Sequence, residues 1–313
     1  MSQFEKDVKN GLSQSPKYLS SKYFYNKRGD ELFVQIMNMP EYYLTRAEFE
    51  IFKEQTNTII EALGVTPASY FELVELGAGD GTKTKELLKV LVNQGFSFDY
   101  VPVDISSNAL TKLQHSLHEE MAELSVKTRQ GDYFQVLESL KSTNTPKIVL
   151  FLGSNIGNLK DEEAHQFMNE LAEVLNAGDK LFLGVDLIKA EEVVLPAYND
   201  KAGITKAFNL NLLSRINEEL GANFDIGSFK HQPEYSEDVG VAKSFLVSTK
   251  AQTVNINGSG TFNFEEGERI HTEISRKYND EIIAKITRHT KFQVQEKLQD
   301  SNGYFADYIL VRD

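Results

Sequence analysis

The chain has 313 residues, 41% hydrophobic and 25% charged, with a formal net charge of −13 and no cysteine. That length and balance describe a globular protein of one large or two moderate domains. The acidic surplus disfavours a nucleic-acid backbone or an anionic membrane as partner, and the missing thiols remove any disulfide framework, thiolate nucleophile or zinc–cysteine site.

The opening segment, MSQFEKDVKNGLSQSPKYL, lacks the apolar core of a signal peptide. No apolar run approaches the ~18 residues of a membrane span, so a cytoplasmic protein without membrane attachment is expected. The first strong signal is Phe71 to Gly81, FELVELGAGDG, an apolar run ending in Glu75 and followed by a turn with Gly77, Gly79 and Gly81. A helix is expected from Thr82 to Val92, and a second strand, Tyr100 to Val103, ends in another acid, Asp104. Strand, glycine turn, helix, strand, acid is the opening unit of a nucleotide-binding α/β sheet. Asn108 to Leu124 reads as helix, Lys147 to Leu152 as a strand buried on both faces, Lys160 to Leu175 as helix and Lys180 to Val185 as strand. The pattern βαβαβαβ over about 71–186 implies a parallel, doubly wound sheet. Further on, Lys206 to Leu220 has helical character and is followed by the segments Val239 to Thr249 and Gln252 to Ile256 and a loop around Asn257 to Gly260. Phe292 to Asp300 and Tyr304 to Arg312, separated by Ser301, Asn302 and Gly303, read as a terminal antiparallel hairpin.

The glycine spacing selects among cofactors. A dinucleotide fingerprint needs glycine where this chain has Thr82. The spacing E-x-GxGxG instead resembles the first motif of class I S-adenosylmethionine (SAM) methyltransferases, whose sheets also end in an antiparallel hairpin. Glycines let the backbone approach an uncharged adenosyl-amino acid, and a carboxylate at the tip of the second strand can accept both ribose hydroxyls. The resulting expectation is a class I, Rossmann-like SAM-binding domain of 52–188 with 277–313. Residues 1–51 and 189–276 then build a second domain that binds the acceptor.

Four longer segments carry a more specific likeness: Tyr23 to Glu48 (YFYNKRGDELFVQIMNMPEYYLTRAE), Leu150 to Leu159 (LFLGSNIGNL), Leu195 to Leu213 and His271 to Tyr278 (HTEISRKY). Together they resemble the histidine-specific SAM methyltransferase family, best known for making trimethylhistidine (hercynine) on the route to ergothioneine. The resemblance implies L-histidine as a small-molecule acceptor and transfer to its α-amino group. It also implies site residues. Tyr25 reaches the amine region through water, Tyr42 lies beside the imidazole, and Asn158 holds the amino and carboxylate groups with Gly153 beside it. Tyr198 binds the carboxylate, and Glu273 with Ser275 reads the imidazole nitrogens. On the cofactor side Gly77 and Gly79 line the turn, Asp104 takes the ribose, and Asp132 and Tyr133 read the adenine. Lys83 or Lys85 approaches the SAM carboxylate. Asn158 and Tyr25 are the two residues expected nearest the reacting amine.

Read without the family, these residues also have plainer roles. Asn158 can cap the helix expected near Lys160, Tyr42 and Tyr198 can be half-buried packing, and Glu273 can be an exposed strand residue. Tyr43 and Arg46 are read as structural. Histidines 115, 118, 165, 231, 271 and 289 show no HxxxH or HExxH spacing, so no metal site is expected. One departure stands out. Ser244 occupies a position where the histidine enzymes are expected to carry methionine against the imidazole, and a smaller polar residue there can loosen the wall or admit water. The alternatives are therefore a SAM-dependent N-methyltransferase of another amino acid or amine, a non-catalytic SAM-binding module, and a nicotinamide oxidoreductase, the last weakened by Thr82. A monomer is expected.

Overall fold

The computed structural model describes residues 2–131, 133–140 and 144–313. Its strands in chain order are β1 (Lys17–Tyr18), β2 (Phe71–Leu76), β3 (Phe98–Asp104), β4 (Ser125–Val126), β5 (Arg129–Gln130), β6 (Lys147–Phe151) and β7 (Lys180–Asp186), then β8 (Phe229–Ser236), β9 (Val241–Ser248), β10 (Gln252–Ile256), β11 (Gly260–Phe264), β12 (Arg269–Arg276), β13 (Phe292–Gln299) and β14 (Phe305–Arg312). The chain divides into two compact units, 1–43 with 188–277 and 44–187 with 278–313.

The second of these units holds a sheet of order β13-β14-β7-β6-β2-β3-β4, with β5 also paired to β3. Strands β4, β3, β2, β6 and β7 run parallel, while β14 lies antiparallel between β7 and β13. This is the class I methyltransferase sheet. Apolar runs such as KIVLF in β6 are buried throughout, as strands covered on both faces must be. Strand order reverses between β2 and β6, and ligands of open α/β sheets bind beyond the carboxyl ends of strands at such a switch point. The turns that follow Leu76 and Phe151 therefore frame the expected cofactor site.

The first unit is built on a sheet of order β1-β12-β9-β8, with a separate β10–β11 hairpin. Its core gathers Phe4, Phe24, Phe208, Leu212, Phe229, Leu246 and Ile270. Helices Lys27–Met37 and Ile204–Leu220 contribute to it, tied by Asn211 Nδ2 donating to Asn26 Oδ1 at 2.9 Å.

The first boundary lies at 43/44 rather than at the expected 51/52. The cause is the helix Tyr43–Glu54, whose side chains after Tyr43 serve the parallel sheet. Phe52 meets Phe182 of β7 edge to face, and Glu48 binds the turn after β6. Strand β8 was not foreseen, because Pro233 interrupts it. It is an edge strand, the one place in a sheet where a missing N–H is tolerated.

Candidate active site

Gly77, Gly79 and Gly81 all adopt positive φ (73°, 55° and 67°), the left-handed region that side chains disfavour. A Cβ on Gly77 would stand 2.8 Å from the Tyr133 hydroxyl, whereas one on Gly79 would meet nothing within 4 Å. Gly77 is thus closed by a protein group, and Gly79 faces open space that a ligand can approach. At the tip of β3, Asp104 Oδ1 accepts the Ser106 N–H at 2.9 Å and Oδ2 the Gly79 N–H at 3.4 Å. One donor per oxygen fixes the carboxylate and leaves lone pairs for further donors. Ile105, directly after it, is 64% exposed and offers an apolar face that the spacing of the motif did not single out. These groups suit SAM: glycines for close approach, a fixed carboxylate for vicinal hydroxyls and an apolar neighbour for a base. Tyr133 opens the helix Tyr133–Leu140, its ring in a T-shaped contact with Phe151. Asp132 lies outside the described residues.

Behind the turn, Glu75 is buried and accepts from Thr84 Oγ1 at 2.8 Å and from Tyr100 Oη. Burial pushes its carboxyl up to about 7 against the pull of those bonds. It joins β2, β3 and the helix Thr84–Asn93, which makes it part of the frame. The two lysines have different partners. Lys85 Nζ turns to Ser116 Oγ at 2.6 Å and Glu120 Oε1 at 2.5 Å, whereas Lys83 Nζ pairs with Glu48 near the Gly153 turn.

Glu48 was not among the expected site residues, although it closes the PEYYLTRAE segment. It is buried, and its two carboxylate oxygens take the Gly153 N–H at 2.9 and 3.1 Å. One acid thereby holds the Gly153 turn (φ 72°) and Lys83 together. Asn155 sits near both turns, its Nδ2 3.6 Å from the position of a Cβ on Gly77 and 3.8 Å from one on Gly153. Asn158 ends the short helix Asn155–Asn158 and is exposed. It does not cap the following helix: Lys160 occupies that position, its N–H bonded to Glu163 at 3.0 Å. The plainer role considered for Asn158 therefore falls away.

The expected acceptor residues in the first unit form two groups. Tyr25 and Tyr42 both meet Phe33 in T-shaped contacts, at 5.5 and 6.4 Å between centroids. Glu273, Ser275 and Tyr198 form the other. Glu273 on β12 faces Ser244 on β9 in register, and Ser244 Oγ donates to Glu273 Oε2 at 3.0 Å. Burial raises the Glu273 carboxyl, while Ser244 and the charge of Lys277 hold it back. Glu273 is thus no exposed strand residue. Ser244 is fully buried, so its hydroxyl is committed to the acid rather than left as slack in a wall. Thr272 Oγ1 donates to Asn209 Oδ1 at 2.8 Å and ties β12 to the helix Ile204–Leu220. Tyr198, buried at the end of the helix Glu191–Tyr198, and Ser275 both accept from Lys277 Nζ, at 2.8 and 2.9 Å. Tyr43, read as structural, accepts from Lys189 Nζ at 3.1 Å. Among the described residues no group of acids and histidines could hold a metal, and no helix is long and apolar enough to cross a membrane.

The family model for histidine-specific, SAM-dependent methyltransferases matches residues 4–312. The chain belongs to that family. It is a SAM-dependent methyltransferase with the class I core. A histidine N-alpha-methyltransferase of Mycolicibacterium smegmatis is 35% identical over 308 residues, covering 98% of this chain and 94% of that protein. A protein of the same description from Mycobacterium tuberculosis is 35% identical over 279 residues, 89% of this chain and 85% of that one. Ergothioneine biosynthesis protein 1 of Schizosaccharomyces pombe is 29% identical over 301 residues, 94% of this chain but 39% of its own length.

Proposed function

We propose that the chain transfers methyl groups from SAM to the α-amino nitrogen of L-histidine until the nitrogen is quaternary. The observation that supports this most is the Glu273–Ser244–Ser275–Lys277–Tyr198 constellation. An ionised acid beside a hydroxyl matches a neutral imidazole, which offers one N–H and one lone pair. An indole has no acceptor nitrogen and would leave Ser275 unmatched, at ~1–3 kcal/mol. The Tyr198 hydroxyl is a donor for the carboxylate, and Asn158 carries both a donor and an acceptor for the amino acid head group.

When bound, SAM supplies an electrophilic methyl group on a sulfonium centre whose leaving thioether needs no acid catalysis. The amine attacks as the neutral base, each methylated ammonium gives up its proton to solvent water before the next transfer, and the work left to the chain is positional. Asp104, Gly79 and Lys83 hold the cofactor while Gly77 shapes the turn, and the acceptor is gripped at its carboxylate and ring, groups that methylation does not alter. Tyr25 meets the amine through water, so its contacts are few enough to survive each added methyl. Orientation of this kind contributes several kcal/mol of barrier lowering, roughly. The series ends by itself, because the trimethylated nitrogen has no lone pair.

The test is mass spectrometry of the protein incubated with SAM and all twenty amino acids. The expected result is a mass gain of three methyl groups on histidine alone, placed on the α-nitrogen by fragmentation. Ring methylation, or turnover of another amino acid with histidine inert, would overturn the assignment.

A further inference from the structure

Lys277 follows β12 by one residue and is completely buried. Strand alternation places Glu273, Ser275 and Lys277 on one side of the backbone. The Lys277 ammonium donates to Tyr198 Oη at 2.8 Å and to Ser275 Oγ at 2.9 Å, and stands 5.0 Å from the centroid of the Tyr198 ring. Its charge also acts on Glu273. Lys277 thus touches or biases all three expected acceptor groups around it.

An ammonium has donors and no acceptor. Both hydroxyl oxygens must therefore receive its protons, and the field of a buried cation favours turning each O–H proton away from Nζ. Hydroxyls polarised in this way are stronger donors, and the nearby charge attracts anions and lone pairs while opposing cations.

We propose that Lys277 is a positioning residue for the acceptor, aiming the Tyr198 and Ser275 hydroxyls as donors so that this cluster accepts a carboxylate and an unprotonated imidazole nitrogen. The inference rests on the histidine reading and adds to it the element that selects the charge state of the acceptor. Lys277 touches no reacting atom. Removing it is expected to raise KM for histidine far more than it lowers kcat.

The experiment is calorimetry on the full chain with S-adenosylhomocysteine present, using histidine and histidine methyl ester as ligands. Four forms are compared: wild type, Lys277→Met, Tyr198→Phe and the double variant. Lys277→Met is expected to weaken histidine binding about 10- to 100-fold, the usual range for losing a charge-assisted contact. S-adenosylhomocysteine affinity should stay unchanged, the ester should suffer less, and the loss should shrink in the Tyr198→Phe background. Unchanged histidine affinity in Lys277→Met overturns the proposal. So does equal loss of histidine, ester and S-adenosylhomocysteine, which marks a purely structural lysine. Should that variant not fold, the wild type alone decides, since equal affinity for histidine and its ester leaves Lys277 no charge to read. A wild type that binds no histidine at all overturns the functional reading itself, an outcome distinct from each of these.

Discussion

Ser244 and Glu273 face each other across β9 and β12, and the serine hydroxyl donates to the half-buried carboxylate at 3.0 Å. The position where a methionine wall was expected is instead part of the acid's hydrogen-bonding shell. Ser244→Ala removes a donor that favours the ionised form, so the Glu273 carboxyl should rise further. The ionised form is the one able to accept an imidazole N–H. The acid limb of kcat/KM for histidine should therefore move to higher pH in the variant, with the alkaline limb unmoved. Coincident pH profiles would detach Ser244 from acceptor reading.

Asp104→Ala should weaken SAM by about 10- to 100-fold, the loss expected when a charged acceptor of hydroxyl donors is removed. Titration calorimetry with SAM reads this directly. Because Asp104 also receives the Gly79 and Ser106 N–H groups, Asp104→Asn is the gentler companion and should fall between the two.

Asp307 is fully buried, and neither of its carboxylate oxygens has a hydrogen-bond partner among the described residues. Burial first and Glu48 second hold its carboxyl well above the usual range, with Lys83 pulling the other way. A carboxyl raised in the folded state contributes fully below its unfolded value and costs stability as pH climbs past it. Asp307→Asn should accordingly stabilise the protein at pH 7–8 by ~1–3 kcal/mol, and the gain should vanish near pH 4 and below. Urea titrations at the two ends of that range check it.

Glu75 gives a second stability signature of the same sign. Its carboxyl is pushed up to about 7 from the unfolded value of 4.5, so stability should fall as pH rises from 4.5 to 7 and level off above. Glu75→Gln should remove that component, on the order of 3 kcal/mol, and flatten the profile of denaturation midpoint against pH. A variant whose profile parallels the wild type would mean that Glu75 stays ionised in the fold.

Much of the sheet could be read from the chain because β6 and β7 are short, mainly apolar runs of strand length, the pattern of strands covered on both faces. The GxGxG turn and Asp104 were equally plain, since backbone conformation demands the glycines. Lys277, Glu48 and Asp307 were not. A charged residue in sequence reads as exposed, and nothing local distinguishes one whose partners are supplied by distant segments. The signal that existed was indirect: Glu48 and Lys277 sit inside long family-like segments whose other members had roles. Ser244 was noticed for the residue it replaces and Glu273 for its place in the family motif, but their pairing became visible only through strand register.

The way the strands are shared out along the chain bears on synthesis. Strand β1 pairs with β12, Lys17 opposite Ile270, and β14 sits inside its sheet rather than at the rim, with β7 on one side and β13 on the other. The first unit therefore waits for residues near 270 before its sheet can close, and the second waits for 305–312. Such long-range closure makes for slow folding with strand edges open in the interval. A nascent chain stalled before β14 would carry β7 as a bare apolar edge, the kind of surface that chaperones hold and that neighbouring chains on a polysome can pair with. Loss of a few terminal residues is thus expected to show as insolubility, well before any question of catalysis arises.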